Sequence, residues 1–210
     1  MKKLISVLLI LLISLGMLSS CGDREYDEAE VKSAAKELIE SSKILNEIYW
    51  GKGIPYIEDM NTSDGVYHRA VDSYHYLIGF KTIDELKTLT EKTFSQDFCK
   101  THIYSTPVLA IDSNTEEIRY YQKYSAFDQT PEYIMVNSIW KPLISGEVAY
   151  DYDSLTVVGS EKETVYVTLK ATVTLDNLEP QTREIRVALI EEESGWRIDS
   201  PTYLNYVKSN

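Results

Sequence analysis

From Thr164 to Leu175 every odd position is apolar (Val165, Val167, Leu169, Ala171, Val173, Leu175), and every even one but Lys170 is threonine or tyrosine. A period of two places one set of side chains on each face of an extended chain, so this is a β-strand with one buried face. Twelve residues at about 3.3 Å each reach roughly 40 Å, longer than an ordinary strand. The run therefore sets the length of a sheet, and the rest of the chain is what pairs with it or covers it.

Its neighbours read as a meander. Glu147 to Val158 predicts a preceding strand, joined to it by a tight connection over Gly159 to Lys162. Asp176 to Gln181 turns the chain into Thr182 to Glu191, where Ile185, Val187 and Leu189 hold the inner face. Glu192-Glu193-Ser194-Gly195 turns it again into Trp196-Arg197-Ile198-Asp199, and Pro201 closes the sheet. Further upstream, Ile118 to Phe127 predicts one strand with Ile118, Tyr120, Tyr124 and Ala126 on a common face. Asp128-Gln129-Thr130-Pro131 is its turn and Glu132 to Trp140 its return.

The first half of the chain is helical in period. Val31, Ala34, Ala35, Leu38, Ile39, Leu45, Ile48 and Tyr49 recur at helical spacing, which predicts an amphipathic helix from Glu28 to Trp50 ended by Gly51. Thr82 and Glu85 form the two ends of a capping box, opening a second helix to about Thr93 with Ile83, Leu86 and Leu89 inward. Ser95 to Thr101 adds a further turn, with Phe98 inward and Cys99 near His102. Between the helices, Gly51 to Gly65 is rich in loop residues and gives no regular element. Val66 to Phe80, with Tyr67-His68 and Tyr74-His75, reads as extended. Helices first and antiparallel strands afterwards make an α+β domain, here over residues 28–210, with the helices on one face of a curved sheet.

Met1 to Ser20 has Lys2 and Lys3, an apolar run and small residues before Cys21, the pattern of an export signal. Leu18-Ser19-Ser20-Cys21 resembles the lipobox of bacterial lipoproteins. That resemblance implies a diacylglyceryl group on Cys21, a polar tether over residues 21–27, and a place on the outer face of the cytoplasmic membrane. The chain carries 33 acidic and 21 basic residues, net -12. Losing Lys2 and Lys3 with the leader makes it -14 (-12 - 2). So acidic a surface excludes nucleic acid as the expected partner and repels anionic lipid, leaving the acyl chains as the anchor. With Cys21 acylated, Cys99 is left single and no internal disulfide is expected.

The long first helix, the segment Phe80-Lys81-Thr82-Ile83-Asp84-Glu85-Leu86, the meander and the ending Gly195-Trp196-Arg197-Ile198-Asp199-Ser200-Pro201-Thr202-Tyr203 together resemble the cystatin-like, or nuclear-transport-factor-2-like, cone fold. Within that group the chain is most similar to bacterial cell-envelope proteins of the IseA type, which inhibit D,L-endopeptidases that cut peptidoglycan stem peptides. The resemblance implies a monomeric binding protein, no enzyme, needing no metal or cofactor, with a cell-wall endopeptidase as partner. The other readings are a lipoprotein holding a small molecule or glycan in the cone, and an enzyme of the isomerase or dehydratase kind.

For such an enzyme, Tyr120, Tyr124, Tyr166 or Asp199 would be the acting group inside the cone. Cys99 and His102 are a thiol and an imidazole one helical turn apart, and a thiol nucleophile needs such a base within reach. His68, His75 and His102 are the only histidines that could gather round a metal, and surface or core-edge positions are the plainer expectation. Trp50, Tyr56 and Tyr67, with His68 beside the last, lie by loops. They are the candidates for partner binding, against the reading of an aromatic cluster packed beneath the loop.

Overall fold

The computed structural model describes residues 26–61, 65–72, 79–104, 108–111, 118–121, 124–126, 133–139, 146–175 and 178–204. Residues 1–20, Cys21, Tyr74 and His75 lie outside these residues. Among the described residues no helix is long and apolar enough to cross a membrane.

Helix α1 runs over Glu28–Tyr49. The Asp27 carboxylate caps it, accepting from the amides of Ala29 and Glu30 at 2.8 and 3.3 Å. Glu28 and Glu30 in its first turn meet the positive end of the helix dipole. Its inner face buries Val31, Ala35, Ile39, Leu45 and Ile48 completely. The helix ends where expected, but the left-handed residue there is Gly53 (φ 81). Gly51 is needed for a different reason: a Cβ on it would lie 2.9 Å from the Glu47 Cα.

The meander is as predicted in order and pairing. Strands β7 (Glu147–Glu161), β8 (Thr164–Thr174), β9 (Gln181–Glu192) and β10 (Gly195–Ile198) form one antiparallel sheet in the order β10-β9-β8-β7. In β8, Val165, Val167, Leu169, Ala171 and Val173 are all buried while the residues between them are half-buried or exposed. Each buried valine or leucine contributes about 1.5–3 kcal/mol, as an upper estimate. The connection to β8 is shorter than predicted: β7 continues through Gly159, and Lys162 (φ 57) and Glu163 make the turn.

β7 is also interrupted. Asp151 pairs with Lys170 and Thr156 with Thr168, so β7 carries three more residues than β8 across that interval. The Ser154 hydroxyl replaces the missing ladder acceptor, taking the Lys170 amide at 2.8 Å. Tyr152, in the looped-out stretch, donates to the Glu40 carboxylate on α1 at 2.6 Å. Glu40 also meets Lys43 at 2.7 Å. The hydrogen bonds from Lys43 and then Tyr152 hold the Glu40 carboxyl below its ordinary range.

A single curved sheet is not what the remaining strands form. β1 (Tyr56–Asn61), β2 (Tyr67–Ala70), β5 (Tyr124–Ala126) and β6 (Ile134–Asn137) make a second four-stranded antiparallel sheet, ordered β1-β2-β6-β5. β3 (Val108–Ile111) and β4 (Ile118–Tyr121) pair with each other alone. The strand predicted over Ile118 to Phe127 is thus two strands in two sheets, and β1 falls where no element was expected. β6 lies within the return strand predicted over Glu132 to Trp140 and pairs antiparallel with β5 as expected; all four of its residues are buried, so it is covered on both faces.

Helix α2 (Ile83–Thr93) opens with the predicted capping box, Thr82 and Glu85 each bonding the other's backbone amide. A short α3 (Gln96–Phe98) and a π-turn over Cys99–Ile103 follow. Phe94 pairs with Ile198 and the Ser95 amide donates to the Ile198 carbonyl at 2.8 Å, so this segment covers the β10 edge. α1 packs on β7 and β10 and touches α2. Tyr124 ties the second sheet to α1, its hydroxyl donating to the Ile48 carbonyl at 2.6 Å and accepting from the Ile54 amide at 3.1 Å. One apolar core contains residues of both helices and of both four-stranded sheets.

Candidate functional site

An open cleft of about 530 Å³ lies where three elements meet. The last turns of α2 bring Thr88, Glu91 and Lys92 to it. The α3 and π-turn segment brings Gln96, Cys99, Lys100 and Tyr104, and the β9–β10 hairpin brings Glu192, Ser194 and Arg197. The hairpin reaches the cleft because Gly195 (φ 111) lets a two-residue turn close opposite Glu192.

Arg197 is 8% exposed. Its Nε donates to the Glu91 carbonyl at 2.9 Å, Nη1 to the Trp196 carbonyl at 2.7 Å and Nη2 to the Ser194 hydroxyl at 2.5 Å. All three acceptors are neutral, and among the described residues no carboxylate lies within 4.0 Å of the guanidinium. The two acids of the cleft are engaged elsewhere: Glu91 accepts from the Tyr104 hydroxyl at 3.3 Å, and Glu192 from the Gln96 amide at 2.9 Å. Tyr104, 40% exposed, stands at the rim. Its phenol is pushed up, first by burial and then by the nearby Tyr49, Cys99 and Glu91.

The Cys99 thiol lies on the cleft wall against the Phe94 carbonyl at 3.7 Å. Burial, reinforced by the charges of Glu91 and Glu192, pushes it up to about 12. That environment disfavours the thiolate a nucleophile requires. The His102 ring stacks on Phe98 at 4.5 Å, and its Nδ1 meets the Thr101 hydroxyl at 2.7 Å. The structure thus gives each member of the Cys99–His102 pair other neighbours.

The remaining candidates scatter. Trp50 was a candidate surface anchor, but it is buried, packed on Tyr203 at 4.8 Å and edge-on to Tyr49 and Phe94. It has the geometry of the cluster beneath the loop, because the end of α1 turns it inward. His68 is buried too, stacked on half-buried Tyr56 at 4.8 Å with Nδ1 meeting the Glu58 carbonyl at 3.0 Å. Tyr67, half-buried, pairs with Asn137. The Tyr124 hydroxyl is spent on the backbone of α1 and the following loop, and the Tyr166 ring lies under the Arg186 guanidinium at 3.8 Å. Asp199 accepts from the Ser95 hydroxyl. Tyr120 lies on β4, and the side chains of that strand are not among those described. Among the described residues no three His, Cys, Asp or Glu side chains stand where they could hold a metal.

The cleft draws on positions 88 to 104 and 192 to 197, about a hundred residues apart, and spacing within one segment could not have assembled it. One signal was present: Arg197 sits between Trp196 and Ile198 in a closing strand that is buried at its end. A charged residue at such a place asks for an explanation. Searches against protein-family models, characterised proteins and solved structures find no match to this chain.

Proposed function

We propose that this chain is a lipid-anchored extracytoplasmic binding protein that inhibits cell-wall D,L-endopeptidases, held at the membrane through Cys21 on a cystatin-like frame. The observation that carries a binding role is the filled concavity. The face of the β7–β10 sheet where a cone-fold enzyme or carrier would hold its ligand is occupied by α1, and Ile39, Leu45, Val167, Ala171 and Leu189 there are fully buried. With these side chains packed there, the reading places the working part on the outer surface.

Charge supports the same reading. A chain of net -12 attracts a basic partner, speeds the encounter and loses that advantage as salt is added. On the edge strand β1, Glu58, Asp59 and Met60 are exposed together, Met60 to 47%. This acidic strand with one exposed apolar side chain is the segment the reading assigns to the peptidase cleft. The test is muropeptide hydrolysis by a panel of purified D,L-endopeptidases, with and without the detergent-solubilised full chain. Stoichiometric inhibition that weakens with salt is expected, and Glu58→Lys with Asp59→Lys should weaken it at least about tenfold. Undiminished hydrolysis at a large excess of the chain would overturn the proposal.

A further inference from the structure

The cleft between α2, the π-turn and the β9–β10 hairpin contrasts with the rest of the molecule in charge. Lys92, Lys100 and Arg197 line it together with Glu91 and Glu192, three cations to two carboxylates (3 - 2 = +1), in a chain of net -12. A chain acidic in the balance thus has a locally balanced, slightly positive hollow. A ligand bearing both signs of charge is what such a lining favours.

The guanidinium of Arg197 carries the argument. Removing a cation from water is costly unless an opposite charge or a full set of hydrogen bonds replaces the solvent. The neutral acceptors around Arg197 take three N–H groups. A guanidinium has five, so two remain (5 - 3), one on each terminal nitrogen. The side chain is held rigidly from the backbone side by the Glu91 and Trp196 carbonyls, and it borders the cleft. A fixed, buried, charged fork with no carboxylate of its own is the arrangement that receives a carboxylate from outside. The Ser194 and Thr88 hydroxyls and the Gln96 side-chain amide add neutral hydrogen-bonding groups to the same lining.

We propose that this cleft binds the zwitterionic end groups of a short peptide, its carboxylate on Arg197 with Lys92 and Lys100, its ammonium on Glu91 and Glu192. A volume of about 530 Å³ lies in the ordinary range for small-molecule sites, about 300–1,000 Å³. Tyr104 at the rim supplies an aromatic wall for the side chains between the two ends. The site stands on the cleft alone, so failure of the endopeptidase assay would leave it intact, and its own failure would leave inhibition intact.

The experiment is calorimetric titration of the full chain in detergent with trialanine, N-acetyl-trialanine and trialanine amide. Trialanine is expected to bind, and capping either end to weaken binding at least about tenfold (about 1.4 kcal/mol). Arg197→Gln should abolish binding of trialanine. Because that variant also removes bonds that hold the hairpin, Glu192→Gln at the half-buried edge of the cleft serves as a second test. It should narrow the difference between trialanine and its N-acetyl form while the chain stays folded by near-ultraviolet circular dichroism. No heat at millimolar trialanine, equal binding of all three peptides, or a Glu192→Gln protein with an unchanged preference for the free amine would each overturn the proposal.

Discussion

The two four-stranded sheets share one core but differ in how their strands are brought together. In the β7–β10 sheet each strand pairs with its sequence neighbour, and β8 and β9 keep register over ten residue pairs. In the β1-β2-β6-β5 sheet, β2 must find β6 more than sixty residues away, and β5 and β6 share three pairs. The first sheet closes short loops and buries a continuous apolar face. The second joins two local pairs, β1–β2 and β5–β6, through one long closure between β2 and β6 that carries three residue pairs, and one phenol bonded to the end of α1 and to Ile54 ties it in. Local pairing makes a region cooperative by itself, while remote pairing makes it depend on its neighbours.

The contrast can be broken most severely inside β8. Leu169 is 1% exposed and pairs with Ile185. Leu169→Ala should cost about 2–5 kcal/mol, and denaturant curves followed by any probe should shift together, since this face underlies the whole core. Tyr124→Phe sharpens the contrast with a smaller loss. It strands the Ile54 amide and removes a donor from the Ile48 carbonyl, for about 1–3 kcal/mol. Native-state hydrogen exchange should then accelerate at the β5–β6 amides and hardly change at β8–β9; equal acceleration in both sheets would show that they open as one.

The smallest effect is silent at neutral pH. Cys99, on the cleft side, is pushed from 9.0 to about 12, and Tyr150, beneath α1, from 10.0 to about 12, in each case mainly by burial. A group whose folded value is raised keeps its proton longer in the folded chain than in the unfolded one. Its contribution is therefore complete below the unfolded value and lost as pH climbs towards the folded one. Stability should be level to about pH 9 and fall between about pH 9 and 12. Cys99→Ala should remove the part that begins near pH 9 and leave the part due to the buried tyrosines, Tyr150 with Tyr49, Tyr104 and Tyr152. A wild-type profile flat to pH 12 would contradict both burials.

The same difference decides what could be read in advance. Val165, Val167 and Leu169 announce β8 because their alternation records one dry face, and Thr82 with Glu85 announces α2 because a helix start is a local hydrogen-bonding problem. β6 was legible as the return strand within Glu132 to Trp140, but its pairing with β2 was not, because Tyr67 to Arg69 reach it from more than sixty residues away. Position beside a glycine loop left Trp50 open between a binding aromatic and a packed cluster, and Tyr203 and Phe94, far away in the chain, draw it inside. The cleft was illegible for a related reason. Arg197 owes its role to Glu91, whose carbonyl it reaches from more than a hundred residues away.

The packing of the tryptophans gives the chain its own optical reporters. Trp50 sits in a dry ring of Tyr49, Phe94, Phe98 and Tyr203, whereas Trp196 is half-buried with its indole nitrogen donating to Glu30 at 3.1 Å. The first emits from an apolar site where the helices meet the C-terminal segment, and the second from a polar site where the start of α1 docks on β10. Fluorescence of single-tryptophan variants would therefore time the closing of α1 at its two ends separately, with no label added.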